Sequence, residues 1–188
     1  YNPEKIPWGE VGYATYKRTY SRPLKNRTEE WEETVDRVIE ACNKQLKCDF
    51  NKHDQKDIKN MMMNLKGTVA GRFLWQLGTK TVDKLGLPSL QNCAFTVIDH
   101  PIRPFTWAFE MLMLGSGVGY NIQREHVYQL PKVKRKVKVQ HVEDNGADFI
   151  VPDSREGWTD LLKRVLEASF ETGKGFTYDT SLVRPAGS

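Results

Sequence analysis

From Trp31 onward the apolar residues fall at helical spacing: Trp31, Val35, Val38, Ile39 and Cys42 mark one side of a helix over about 28–46. Thr28 is placed to cap it, and Glu29 and Glu30 suit its positive end. A second stripe, Ile58, Met61, Met62 and Leu65, predicts a helix over about 54–66 that Gly67 stops. The pattern then changes. Ser89 to Ile98 is β-branched and aromatic at its far end and is led in by Pro88-Ser89, which predicts a short buried strand with Cys93 near its start. Pro101 and Pro104 open a helix over about 104–114, with Phe105, Ala108, Phe109 and Leu112 on its apolar side.

Residues 131–142 nearly alternate charge with valine, as in a strand with one wet face, and the lysines suit an edge strand that resists further pairing. Glu143 to Asp148 is a polar turn. The stretch Asp153-Ser154-Arg155-Glu156 caps a helix that Trp158, Leu161, Leu162, Val165, Leu166, Ser169 and Phe170 carry to about 172, and Phe176 to Asp179 reads as a further strand. Residues 1–27, broken by Pro3, Pro7, Gly9, Gly12 and Pro23, read as an irregular arm, and residues 70–79 as an apolar stretch leading through a short loop to the Cys93 strand. Helices first, then strand, helix, strands, helix and strand, give the later half α/β character. Too few strands are present to close a barrel or fill a doubly wound sheet.

Composition narrows the chemistry. The chain has 188 residues and a net charge of +4, which fits phosphorylated ligands and is too small to argue for nucleic acid. Lys132 to Lys138 is the one stretch that could meet a polyanion. No apolar run approaches the roughly 18 residues of a membrane span, and the opening residues do not read as a signal peptide. Three cysteines, Cys42, Cys48 and Cys93, make no disulfide framework, so a reducing cytoplasm is the expected compartment. No Cys/His cluster completes a zinc site, so no metal is expected. Cys42 lies on the apolar stripe and reads as a small core residue, Cys48 falls in a polar turn without an evident role, and Met61 to Met63 read as packing.

One juxtaposition suggests a site. Cys93 stands at the mouth of its strand, and about twenty residues later comes Gly115-Ser116-Gly117-Val118-Gly119-Tyr120-Asn121. Glycines let backbone N–H groups approach a ligand closely. The loop follows a helix rather than a strand and lacks a Lys-Ser/Thr ending, so it is neither a dinucleotide fingerprint nor a P-loop. Taken alone it equally fits a helix cap and tight turn. Lys17 and Arg18 read either as part of an arm packing its tyrosines or as phosphate contacts, and Arg72 as a surface ion-pair partner or a tie beside the pocket.

Seven segments, in order, resemble one family: Trp8-Gly9 with Tyr16-Lys17-Arg18-Thr19-Tyr20; Trp31-Glu32-Glu33-Thr34-Val35; Gly71-Arg72-Phe73-Leu74-Trp75; Ser89-Leu90-Gln91-Asn92-Cys93; Gly115-Ser116-Gly117-Val118-Gly119; Pro152 to Trp158; and Arg184-Pro185-Ala186-Gly187. Together they resemble the N-terminal part of the ribonucleotide reductases, most closely the adenosylcobalamin-dependent class II, ribonucleoside-triphosphate type. The resemblance implies an N-terminal arm and helical region over 1–68 and the first strands and helices of a ten-stranded α/β barrel over 69–188, incomplete on this chain.

The resemblance also implies that Cys93 is one of two cysteines that reduce the ribose 2′-carbon, that Asn92 and Gly115, Ser116, Gly117, Val118 and Gly119 line the substrate site, and that Asp99 contributes to a deoxynucleotide effector site. Adenosylcobalamin would be the cofactor, held mainly by parts outside this chain, and a thioredoxin-type protein the reductant. The radical-bearing cysteine and its loop have no counterpart here, so a second chain would carry them. The long insertion that monomeric members carry after the Cys93 strand is also missing. A non-catalytic nucleotide-binding or regulatory remnant of a reductase is the alternative.

Overall fold

The computed structural model describes residues 8–185 and Gly187. It divides into two compact units, residues 1–91 and 92–188.

The first unit is helical. It comprises α1 (Glu10–Thr19), α2 (Trp31–Lys44), α3 (Lys52–Met63), α4 (Gly71–Gln76), α5 (Lys80–Leu85) and a 3-10 turn at Leu87–Leu90. The expected irregular arm is therefore a helix over half of its described length, and the short loop before the Cys93 strand contains α5. Local breakers obscured both: Gly9 and Gly12 bracket the start of α1, and α5 is only six residues long, capped by the Thr79 hydroxyl and closed by Gly86 in the left-handed region. Helix α2 starts at Trp31, with a reciprocal cap between Glu30 and Glu33, so Thr28 is not its cap. In α3, Asn51 and Asp54 form the same device, and the chain leaves the helix at Leu65 (φ 53°), before Gly67.

The α2 stripe packs Trp31, Val35, Val38 and Ile39 with Tyr16, Met62, Leu74, Leu77 and Leu90 into one core. Tyr16 is buried as an arm tyrosine should be. Lys17 donates to the Thr28 and Glu29 carbonyls and pairs with Glu30 at 2.9 Å, so this lysine is a structural tie rather than a free phosphate contact.

A buried ion pair ties this core together. Glu29 (4% exposed) accepts from Arg37 Nε at 2.8 Å and Nη2 at 3.0 Å, from the Thr34 hydroxyl at 2.7 Å and from the Arg22 N–H at 3.2 Å. The same guanidinium donates to the Leu74 carbonyl at 2.8 Å and to the Leu77 carbonyl. One arginine on α2 thereby satisfies the carbonyls at the end of α4. Burial alone would raise the Glu29 carboxyl, but the hydrogen bonds from Arg37 and Thr34 hold it below its ordinary value.

The second unit mixes strands and helices: β1 (Cys93–Val97), α6 (Arg103–Met113), β2 (Gly117–Asn121), α7 (Arg124–Val127), β3 (Val139–His141), β4 (Phe149–Ile150), α8 (Arg155–Glu167) continued by a π-helical turn at 168–172, and β5 (Phe176–Asp179). β1, α6 and β2 form a βαβ unit, with β1 and β2 parallel and Cys93 opposite Gly117. A separate parallel sheet has the order β3-β5-β4. These are partial sheets, and no barrel closes among the described residues. The basic valine stretch pairs only over Val139–His141, at the sheet edge, and Lys136 before it sits at φ 64°. The two-residue strand β4 lies just after the polar turn and is too short for a sequence pattern.

Two glycines here are fixed by contact rather than conformation. A Cβ on Gly175 would lie 2.1 Å from the Lys138 carbonyl oxygen, and one on Gly157 would lie 2.4 Å from that of Pro152. The first lets β5 approach β3; the second lets α8 start tight against the chain that leads into it, under the Ser154 cap (Gly157 N–H to Oγ, 3.0 Å).

Candidate functional site

Strand alternation sorts β1 and β2 into two faces. Ala94, Thr96, Val118 and Tyr120 share one, against which α6 packs while leaving Tyr120 46% exposed. Cys93, Phe95, Gly117 and Gly119 share the other, and it is open: Cys93 is exposed and Phe95 is 64% exposed. The expected buried strand is thus buried on one face only. Parallel strands ordinarily have both faces covered, so this half-covered pair presents its cysteine face outward.

Asn92 and Cys93 meet the glycine segment directly. The Gly117 N–H donates to the Asn92 carbonyl at 2.9 Å, and Cys93, Ala94 and Phe95 are in register with Gly117, Val118 and Gly119. The glycines do not form a cradle of free amides. Gly115, at φ 83°, ends α6, Ser116 is buried with its N–H on the Met111 carbonyl, and Gly117–Asn121 is a strand. The glycines act by omission instead. Gly117 places no side chain beside the Cys93 thiol, and a Cβ on Gly119 would come within 2.9 Å of the Phe95 ring. The result is an exposed thiol bordered by bare backbone on one side and an aromatic face two residues along the strand.

Asp99 lies elsewhere. It is exposed and follows the far end of β1, six residues from Cys93, which at ~3.3 Å per residue places it about 20 Å away. The sequence-predicted residues therefore form one cluster, 92–93 with 115–119, and one separate position. Arg72 acts as a tie within the helical unit: its Nη1 donates to the Gln91 carbonyl at 3.2 Å, on the chain that leads into this strand.

Sequence reading passed over two clefts. An apolar groove of about 710 Å³ lies among Ile98, Phe105, Phe109, Leu112, Ile122 and Leu162. A cleft of about 530 Å³ opens among Glu143, Asp144, Asn145, Asp179 and Ser181, where β3 and β5 end. Both gather residues from elements far apart in sequence, and only the Leu112 and Leu162 stripes gave any signal. Asp179 is buried, and hydrogen bonds from the Ser181 hydroxyl (2.6 Å) and N–H (2.9 Å) hold its carboxyl below the usual range. Among the described residues no helix is long and apolar enough to cross a membrane, and no three His, Cys, Asp or Glu side chains gather as a metal site.

Comparison with known proteins gives a consistent result. The ribonucleotide reductase alpha domain family matches residues 1–79. The adenosylcobalamin-dependent ribonucleoside-triphosphate reductase of Lactobacillus gasseri is 33% identical over 245 residues, covering 96% of this chain and 33% of that protein. The protein of the same name from Lactobacillus helveticus is 30% identical over 248 residues, covering 98% and 33%. Among solved structures, a B12-dependent class II ribonucleotide reductase superimposes with a TM-score of 0.75 at 27% identity, over 98% of this chain and 34% of that one. The chain thus spans about one third of the length of the curated relatives it matches. By sequence and by fold it is similar to an N-terminal part of the class II, adenosylcobalamin-dependent ribonucleotide reductases.

Proposed function

We propose that this chain serves a ribonucleotide reductase that converts ribonucleotides, as triphosphates, to deoxyribonucleotides by radical chemistry, and that Cys93 is one of its two reducing thiols. The observation that carries this reading is the exposed Cys93 thiol at the start of a parallel strand, paired to a glycine strand that leaves room for a sugar beside it. In the reduction the 2′-hydroxyl leaves as water while two thiols become a disulfide. Cys93 supplies one sulfur; the other, and the thiyl radical that abstracts the 3′-hydrogen, come from a second chain or segment. Asn92 and residues 115–119 border the substrate, and Asp99, at the far end of β1, belongs to a deoxynucleotide effector site. A thioredoxin-type protein returns the disulfide to thiols, in a cytoplasmic setting.

The relatives are named as adenosylcobalamin-dependent, and we assign the same cofactor to the assembled enzyme. The cavities of this chain do not fit it unaided. A macrocycle rimmed with amides needs polar partners around its edge, whereas the 710 Å³ groove is lined almost wholly by apolar side chains and the 530 Å³ cleft largely by acidic and hydroxyl groups. The cofactor is therefore held mainly by other parts.

The test is Cys93→Ser in the reconstituted enzyme. Multiple turnover with a thioredoxin-type reductant should be lost while nucleotide binding is retained. Turnover at the wild-type rate would overturn the assignment.

A further inference from the structure

Cys42 and Cys48 are six residues apart, at the end of α2 and in the turn that follows. That turn is folded back on the helix by several hydrogen bonds. The Cys48 N–H donates to the Cys42 carbonyl at 3.1 Å. Asn43, next to Cys42, grips Phe50 at both backbone groups, donating to its carbonyl at 2.9 Å and accepting from its N–H at 2.7 Å. Gln55 donates to the same Phe50 carbonyl. The residues on either side of Cys48, Lys47 at φ 59° and Asp49 at φ 55°, both lie in the left-handed region without being glycine. Such positions are strained and persist only where the surroundings over-determine them. Here the surroundings hold the Cys48 backbone directly on that of Cys42, the close approach that a disulfide bridge requires. Cys48 is exposed and Cys42 half-buried against the helical core.

We propose that Cys42 and Cys48 form a reversible dithiol–disulfide couple, a redox-modification site separate from Cys93 and independent of the function assigned above. The oxidant is a small-molecule disulfide such as oxidised glutathione. The exposed Cys48 thiolate attacks one of its sulfurs, releasing one glutathione thiol and forming a mixed disulfide. Cys42 then attacks the Cys48 sulfur and expels the second glutathione thiol. The pair gives up two electrons and two protons, and the oxidant takes them up as two thiols. The order follows from burial, which pushes the Cys42 thiol up and keeps it from attacking first.

The bond would fasten the turn to α2 at a corner that already joins α2 to the α4–α5 connection. There Gln45 accepts from the Gly78 N–H at 2.8 Å and donates to Asp83 at 2.7 Å.

The experiment equilibrates the full chain in glutathione redox buffers, native and in 6 M guanidinium, and measures tryptic peptides by mass spectrometry. The expected product links the peptide containing Cys42 to that containing Cys48, with an effective thiol concentration at least about tenfold higher in the native chain than in the unfolded one; this factor is the contribution of the folded turn. In Cys48→Ser the Cys42 thiol should stay free under the same conditions. Equal effective concentrations in the two states would overturn the proposal, as would a lasting glutathione adduct on Cys48 beside a free Cys42.

Discussion

Arg37→Met tests the account of the helical core. The methionine keeps the apolar stem and removes the guanidinium. Glu29, 6% exposed at its side chain, then loses both of its Arg37 hydrogen bonds, and the Leu74 and Leu77 carbonyls lose their donor. Removing one member of a buried pair costs about 3–5 kcal/mol, because the remaining charge has no compensation. That is a large share of the roughly 5–15 kcal/mol by which a domain is stable. Glu29 keeps the Thr34 hydroxyl and the Arg22 N–H, which places the expected loss near the lower bound, at about 3 kcal/mol.

Two further measurements sharpen this prediction. Glu29→Gln combined with Arg37→Met removes both charges and should recover at least about 1 kcal/mol relative to Arg37→Met alone. The pH response should also reverse. In the wild-type chain the Glu29 carboxyl is held low in the folded state. Its contribution is present above the unfolded carboxylate value of about 4.3 and is lost as pH falls through the lower folded value. Without Arg37, burial dominates and raises the folded value above the unfolded one. Arg37→Met should therefore gain stability on going from pH 7 toward pH 5. Urea unfolding followed by tryptophan fluorescence reads all three, since Trp8, Trp31 and Trp75 lie in the helical unit. A loss under about 1 kcal/mol in Arg37→Met, or a double variant no more stable than the single one, would refute the reasoning.

Other outcomes follow from the same geometry. Gly175→Ala places a Cβ 2.1 Å from the Lys138 oxygen and should separate β3 from β5, accelerating hydrogen exchange at the Phe176 N–H, now bonded to Lys138; unchanged exchange there would count against it. Gly157→Ala meets the Pro152 oxygen at 2.4 Å and should cost about 1–3 kcal/mol, measured by urea unfolding. Gly119→Ala meets only the rim of the exposed Phe95 ring, which can turn away, so its stability should change by less than about 1 kcal/mol.

Much of the fold was legible wherever a local period was strong. The α2, α6 and α8 stripes and the strand Phe176–Asp179 lie within a few residues of where their patterns put them, because 3.6-residue and 2-residue repeats are properties of neighbouring positions. Elements too short or too punctuated to show a period, α1, α5, α7 and β4, left no such trace. The ordered motifs also carried the resemblance to the reductases and singled out Asn92, Cys93 and residues 115–119 as candidates, since residue identity survives in sequence whatever its partners.

Tertiary structure alone decided what those residues touch. The glycine segment is a strand rather than a cradle because a parallel partner, separated from it by a whole helix, takes up the Gly117 amide. Arg37 is central to the helical core because it reaches carbonyls 37 and 40 residues away as well as Glu29. Cys93 faces outward because strand alternation aims its side chain, and Cys48 comes back onto Cys42 because a strained turn folds its backbone against the end of α2. Each depends on which distant groups remain unpaired after the local elements form, and no local pattern encodes that.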